Sequence, residues 1–353
     1  MELPLLLICF FLSVSSLTLP PEISSPQFFI PHSPVVARGN PSHTDPSFNE
    51  SHTLGVLHFA WAAYCSASSL RSWTCPYCYT GDSLVEIVED NITSTFSFVA
   101  CDKVAQTLYV SFRGTVDLPN WITDFDFVKV PDLIDDPEAL VHAGFYRAYN
   151  RVRQGILSAV NDALQQQSSP CFGSSRMVVT GHSLGAALSG LCALDLRKKF
   201  KNIPNLHIEL NNFGMPRLGN VAFAYAFPGA VNVSWRMVHQ ADIVPHLPLQ
   251  LMGYRHIATE VWSISSNSTF AKAFIGNSNE PSNSYKGAGL GERTVRAHQI
   301  QSSLKLSKDF LEDSDLIYIV CRGGEDEKCS DSVPIEQWNS NDHNVYMGEG
   351  RKC

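Results

Sequence analysis

The chain has 353 residues, 44% of them hydrophobic and 17% charged, which is ample apolar material for a large core and excludes a disordered or fibrous chain. Acidic residues outnumber basic ones, 34 to 26, and the basic residues are scattered, which argues against a nucleic-acid surface and against a basic stripe for anionic lipid. Any lipid contact should then be hydrophobic.

Residues 3–12 (LPLLLICFFL) form an apolar run too short to span a bilayer, and Ser13 to Ser16 supply small residues where a signal peptidase cuts. They read as a secretory signal over 1–16, although the first residues carry Glu2 and no Lys or Arg; a buried N-terminal core segment is the alternative. An extended arm over 17–50, rich in Pro, Ser and His, should lead into a folded domain over 51–353. No later run of 18 apolar residues occurs, so no transmembrane segment is expected in the mature chain. Nine cysteines beyond Cys9 agree with export, and an odd number leaves at least one thiol unpaired. Sequons at Asn49, Asn91, Asn232 and Asn267 are candidate glycosylation sites on that route.

The stretch LGVLHFAWAAYC (54–65) places Leu54, Leu57, Trp61 and Tyr64 at helical spacing, with Ser51 or Thr53 able to cap it. Short strands are expected over 84–88 and 95–99, and QTLYVSFRG (106–114) reads as a buried strand running into a glycine turn. Residues 143–164 are helical, with Val152, Ile156, Val160 and Leu164 inward. A strand over 176–180 precedes a helix over 184–200, and further strands are expected over 206–214 and 233–240. Strands alternating with helices predict an α/β fold with a parallel or mixed sheet covered on both faces. Residues 263–291, rich in Ser, Asn and Gly, read as a surface insertion. Cys75 and Cys78 lack a partner pair at finger spacing, so no metal site is expected.

VVTGHSLGAAL (178–188) sets Gly-X-Ser-X-Gly between that strand and that helix, the order that builds a nucleophile elbow around Ser183. A serine hydroxyl needs a base and an orienting carboxylate to become a nucleophile. Asp242, just past the strand at 233–240 and before Pro245, is the best carboxylate, because parallel sheets place active sites beyond their strand ends. Three histidines compete for the base: His256 in GYRH, His298 in VRAHQ and His343 in NDHNVYMG. His256 precedes strand-like residues, His298 sits on a charged helical face, and His343 lies in a polar loop near the C-terminal cysteine; sequence arithmetic does not choose among them.

Together the blocks AWAAYC (60–65), LYVSFRGT (108–115), NWITDFDF (120–127), VHAGFYRAY (141–149), VVTGHSLGAAL, NNFGMPRLGN (211–220), RMVHQADIVPHLP (236–248), GYRHIATEVW (253–262) and DHNVYMG (342–348) resemble the secreted fungal-type class 3 lipases. They stand in family order and cover roughly residues 54–353. The resemblance implies the alpha/beta-hydrolase fold, a central, mostly parallel sheet with helices on both faces. It also implies Ser183 as nucleophile, Asp242 as orienting acid and His343 as base, and makes His256 noncatalytic. The oxyanion donors would be the amide of Leu184, the residue after the nucleophile, and Thr115 of the FRGT turn. Leu118, Trp121 and Ile122 fall where the family carries an amphipathic lid.

Cys65 and Cys353 match a family bridge worth about 5 kcal/mol in the chain-entropy model. Cys321 and Cys329, flanking GGEDEK, form a second candidate pair, Cys192 reads as a buried free thiol, and Cys75, Cys78, Cys101 and Cys171 stay unassigned. The implied protein is a secreted, extracellular serine ester hydrolase, a triacylglycerol lipase working without cofactor or metal as a monomer at an oil–water interface. Feruloyl-type esterases and phospholipases A1 share the triad and are the alternatives within the fold; a catalytically idle lipid-binding protein is the alternative outside catalysis.

Overall fold

The structure, a computed structural model, describes residues 48–118, 120, 127–131, 136–229, 231–265, 268, 316–321 and 324–353. Cys9, Trp121, Ile122, Asn267, His298, the N-terminal signal and almost all of the arm lie outside the described residues. Asn49–Cys353 holds together as one compact unit.

Three antiparallel strands start the sheet: β1 (Asp82–Asp90), β2 (Thr95–Asp102) and β3 (Thr107–Phe112). β4 (Lys129–Pro131) and β5 (Leu140–His142) pair separately. β6 (Arg176–His182), β7 (His207–Phe213), β8 (Val233–His239) and β9 (Thr259–Ser265) then extend the sheet from β3, each parallel to the one before. β10 (Leu316–Val320) closes the far edge antiparallel to β9. The order is β1-β2-β3-β6-β7-β8-β9-β10, a mixed sheet whose central pairings are parallel, as expected of an alpha/beta-hydrolase.

Alternation along β3 sorts the two faces. Leu108, Val110 and Phe112 join one apolar cluster with Val152, Ile156 and Val160 of helix α3 and with Leu188 and Leu191 of helix α4. Between them, Tyr109 stacks on Phe59 at 3.8 Å and the Ser111 hydroxyl donates to the Phe59 carbonyl at 2.8 Å, which places helix α1 on the opposite face. These helices are α1 (Glu50–Ala62), α3 (Ala143–Gln165) and α4 (Leu184–Lys199), with the short α2 (Ala67–Arg71) and α5 (Val221–Ala226) completing the series among the described residues.

Two expectations change. Helix α1 begins at Glu50 rather than Leu54, and Asn49 caps it by accepting from the His52 amide at 2.9 Å. Thr53 does not cap, because its hydroxyl is buried and accepts from the Asn211 side chain at 3.2 Å. At the other end, Ser263 to Ser265 complete β9 instead of opening the insertion, since a parallel neighbour and an antiparallel one satisfy their backbone.

Among the described residues there are four disulfides: Cys65–Cys353, Cys75–Cys78, the core pair Cys101–Cys171, and Cys321–Cys329. Cys192 is a buried free thiol in α4. Glu260, Cys321 and Cys329 lie together, but the disulfide leaves those sulfurs without thiolate character to hold a metal.

Candidate active site

The parallel register pairs Phe112 with Gly181, His182 with Phe213 and Phe213 with Met237, so β3, β6, β7 and β8 end in one row. The loops leaving those ends meet at the carboxyl edge of the sheet. Ser183 occupies the single position between β6 and α4, with φ 62° and ψ −130°. That left-handed backbone costs a non-glycine residue about 1–3 kcal/mol and must be imposed by its surroundings.

The surroundings are identifiable. The Ser183 amide donates to the Phe213 carbonyl at 3.0 Å and its carbonyl accepts from Ala186 at 2.9 Å. A Cβ on Gly185 would lie 2.2 Å from the Phe112 carbonyl oxygen, and one on Gly181 would lie 2.4 Å from the Gly185 carbonyl. Only glycine at both positions lets strand, elbow and helix close together. Gly114 faces the same constraint: a Cβ there would sit 2.8 Å from the Ser183 Cβ. The FRGT turn therefore passes directly beside the serine, with half-buried Thr115 following Gly114. The Leu184 amide, first in α4, has no intrahelical partner and meets no side-chain cap.

Asp242 is fully buried three residues beyond β8. One carboxylate oxygen accepts from the Val244 amide at 2.9 Å; the other accepts from His343 Nδ1 at 2.8 Å and from the Tyr346 hydroxyl. With Nδ1–H bound to the carboxylate, the neutral imidazole keeps its lone pair on Nε2. His343 Nε2 and Ser183 Oγ are both buried without a hydrogen-bond partner. His343 reaches the elbow: its ring centroid lies 4.3 Å from that of His182, the residue before the serine.

The segment carrying His343 is latched to the acid loop on both sides. Asn339 donates its amide to the Ala241 carbonyl and accepts from the Ile243 amide, while the Asp342 carboxylate accepts from the Ala241 amide at 3.0 Å. Farther out, buried Arg217 forks onto Glu325 at 2.9 and 3.0 Å and reaches Asp331 at 3.2 Å, and Gln250 donates to the same two carboxylates. After His343, β11 (Val345–Tyr346) and β12 (Glu349–Gly350) form a hairpin that runs to the Cys65–Cys353 bridge.

His256 lies apart from this line, buried beyond the acid loop, with Nε2–H donating to the Pro245 carbonyl at 2.6 Å. Burial and the nearby Arg236 guanidinium hold its imidazole well below the ordinary pKa, which keeps it neutral. Leu118 packs, half-buried, against the buried cluster of Ile243, Val244 and Leu247 that follows Asp242, which Leu249 and Trp338 also cover. Asn49, Asn91 and Asn232 are exposed, and the Asn232 side-chain oxygen accepts from the Ile208 amide at 2.8 Å.

Sequence reading passed over Tyr346 as a member of the site, although the tyrosine three residues after His343 was visible in the last block. Burial and the Asp242 carboxylate push its phenol well above the ordinary value, so it remains a donor to that carboxylate. Gly214 was missed for a different reason. At φ 60°, a Cβ there would meet His343 Cε1 at 2.7 Å and the Tyr346 hydroxyl at 2.8 Å, a conflict between residues far apart in the chain.

A central parallel sheet, a glycine-framed serine elbow after β6 and a carboxylate–imidazole pair beyond β8 together have the architecture of an alpha/beta-hydrolase. The family model of class 3 lipases matches residues 109–252. A secreted mono- and diacylglycerol lipase of Fusarium solani is 34% identical over 215 residues, 58% of this chain and 61% of that one. Among solved structures, the lipase of Rhizopus microsporus var. chinensis superposes with a TM-score of 0.64 at 26% identity, covering 85% of this chain and 88% of that one. A mutant form of MDLA from Penicillium cyclopium is 31% identical with a TM-score of 0.52, over 62% of this chain and 81% of that one. The chain belongs to the class 3 lipase family. It spans little more than half the length of the curated relatives it matches, 53% for the Rhizomucor miehei lipase and 61% for the Fusarium protein. No helix among the described residues is long and apolar enough to cross a membrane.

Proposed function

We propose that the protein is a secreted serine ester hydrolase that cleaves acylglycerols, triacylglycerol foremost, through an acyl-enzyme. Ser183 Oγ attacks the ester carbonyl while His343 Nε2 takes its proton, and Asp242 holds the imidazole and balances the imidazolium that forms. The tetrahedral oxyanion is met by the Leu184 amide and by Thr115, each donor lowering the barrier by about 3 kcal/mol. His343 then gives the proton to the leaving glycerol oxygen, and water attacks the acyl-enzyme with the same base to release the fatty acid. The observation that carries this reading is the 2.8 Å contact between Asp242 and His343, residues 101 positions apart, beside a strained serine whose hydroxyl has no other partner.

Leu118, Trp121 and Ile122 act as a lid over the serine that turns outward at an oil–water interface, and the catalytic unit is a monomer. The acyl chain runs over the apolar residues against which Leu118 packs. The four disulfides among the described residues support an extracellular location, since such bridges persist in oxidising compartments. A second reading, preference for partial glycerides, is favoured by the mono- and diacylglycerol lipase name of the Fusarium relative. Purified protein offered emulsified triolein, diolein, a phosphatidylcholine and methyl ferulate should release fatty acid from triolein and diolein. Diolein cleavage without triolein cleavage selects the second reading, and hydrolysis confined to the phospholipid or to the ferulate sinks both.

A further inference from the structure

Two side chains outside the triad link the turn at Gly114, the serine elbow and the segment that carries the base. His182, between Gly181 and Ser183, is buried among the rings of Trp61 at 4.7 Å, Tyr64 at 5.8 Å and His343 at 4.3 Å. Its Nε2 lies 2.8 Å from the main-chain oxygen of His343, and its Nδ1 lies 2.7 Å from the Tyr64 hydroxyl. A carbonyl oxygen only accepts, so Nε2 carries the proton. Burial, reinforced by His343, holds this imidazole well below its ordinary pKa, so the ring is neutral and its bare Nδ1 accepts from Tyr64.

The Tyr64 hydroxyl has a second neighbour, the backbone of Gly114. The approach is so close that a Cβ on Gly114 would lie 2.2 Å from that oxygen. Burial raises the Tyr64 phenol far above any working pH, which keeps it a donor. From the outside, the Arg351 guanidinium lies over the Tyr64 ring at 4.5 Å, and Cys65, the next residue, is bonded to Cys353.

We infer that Tyr64 and His182 are positioning residues, a relay that packs on the Gly114–Thr115 turn and runs by hydrogen bonds to the His343 main chain, setting the spacing of oxyanion donor, nucleophile and base. The inference rests on the triad reading above. Asp242 and Tyr346 fix the imidazole and the hairpin after it, but they belong to the acid side of the site. The bond from His182 to the His343 carbonyl is the one that references the base to the elbow itself. Such referencing matters because a displacement of about 1 Å in a catalytic group costs about 100-fold in rate.

The test is steady-state hydrolysis of soluble p-nitrophenyl butyrate by Tyr64→Phe, His182→Phe and His182→Gln, with Ser183→Ala and His343→Ala as controls and thermal unfolding recorded for each. Tyr64→Phe and His182→Phe should lower kcat about 10- to 100-fold with KM within about twofold. His182→Gln places an amide donor near the position of Nε2 and should recover most of that loss, a rescue that a merely structural role would not produce. Unchanged kcat in Tyr64→Phe and His182→Phe, with both controls inactive, overturns the relay and leaves the triad standing. A loss that vanishes on cooling below the variants' unfolding range overturns it equally, since the defect would then be in stability. If His182→Phe does not fold, Tyr64→Phe decides alone, because it removes a single oxygen. Full activity in Ser183→Ala or His343→Ala would instead bring down the triad reading itself.

Discussion

The two halves of the site are built differently. The serine half is made within one short stretch, where strand β6, a residue at φ 62° and helix α4 follow one another and two glycines leave room for the turn. The acid and base half joins residues 101 positions apart, and it stands only because Asn339, Asp342 and Tyr346 bind the two segments together. The first half is encoded by local sterics and tolerates no added atoms; the second is encoded by distant hydrogen bonds and tolerates small losses one at a time. Mutations that add volume should therefore break the serine half as a fold, and mutations that remove polar atoms should weaken the other half as a catalyst.

The largest effect is expected from Asp242→Asn. It preserves shape but leaves His343 in the wrong tautomer, so kcat on a soluble ester should fall by about 10⁴ while thermal unfolding changes little. A fall below tenfold would mean that the acid–base half is not the catalytic one. Next comes Gly185→Ala, whose methyl would lie 2.2 Å from the Phe112 carbonyl oxygen. It should cost about 3 kcal/mol of stability, read as loss of soluble protein or a lower denaturant midpoint. Wild-type stability there would contradict the close approach on which the serine half depends.

Tyr346→Phe removes one of three donors to Asp242. A hydrogen bond to a charged group contributes about 1.5–3 kcal/mol, so kcat should fall about 10- to 100-fold, well short of the Asp242→Asn loss. If the two variants were equally damaged, the latch would be as local and unforgiving as the elbow. The smallest effect concerns pH. His182 and His256 have folded pKa values well below their unfolded value of about 6.5, so the unfolded chain binds protons that the folded chain refuses. Stability is then fully present above pH 6.5 and declines as pH falls through it, by about 0.4 kcal/mol per histidine at pH 6.5 itself. Urea unfolding between pH 8 and 5.5 measures that slope, and His256→Gln should make it shallower.

Much of this was legible in the residues because local rules were at work. Burial of β3 follows from its short apolar run Leu108–Val110, and the elbow follows from Gly181 and Gly185 at fixed spacing after the run Met177–Val179. Helix α1 was misread at its start because Asn49, not Ser51 or Thr53, found the free amide, a choice made by the contact that buries Thr53 against Asn211. The base was the hardest residue to read. His256, His298 and His343 carry no local mark that separates a proton acceptor from a structural imidazole, and the resemblance to a family, not spacing, singled out His343. The family model itself stops at residue 252, ahead of that histidine.

By itself the sequence determined strands β1, β2, β3, β6, β7 and β8, the helices α1, α3 and α4 that cover them and the turn that strains Ser183, since each depends on neighbours within a few residues. Tertiary structure alone decided which imidazole meets Asp242, why Gly214 must be glycine and how Tyr64 and His182 reach the His343 main chain. Those are contacts between segments 100 or more positions apart, and their chemistry is set by who is buried beside whom, which no local pattern records.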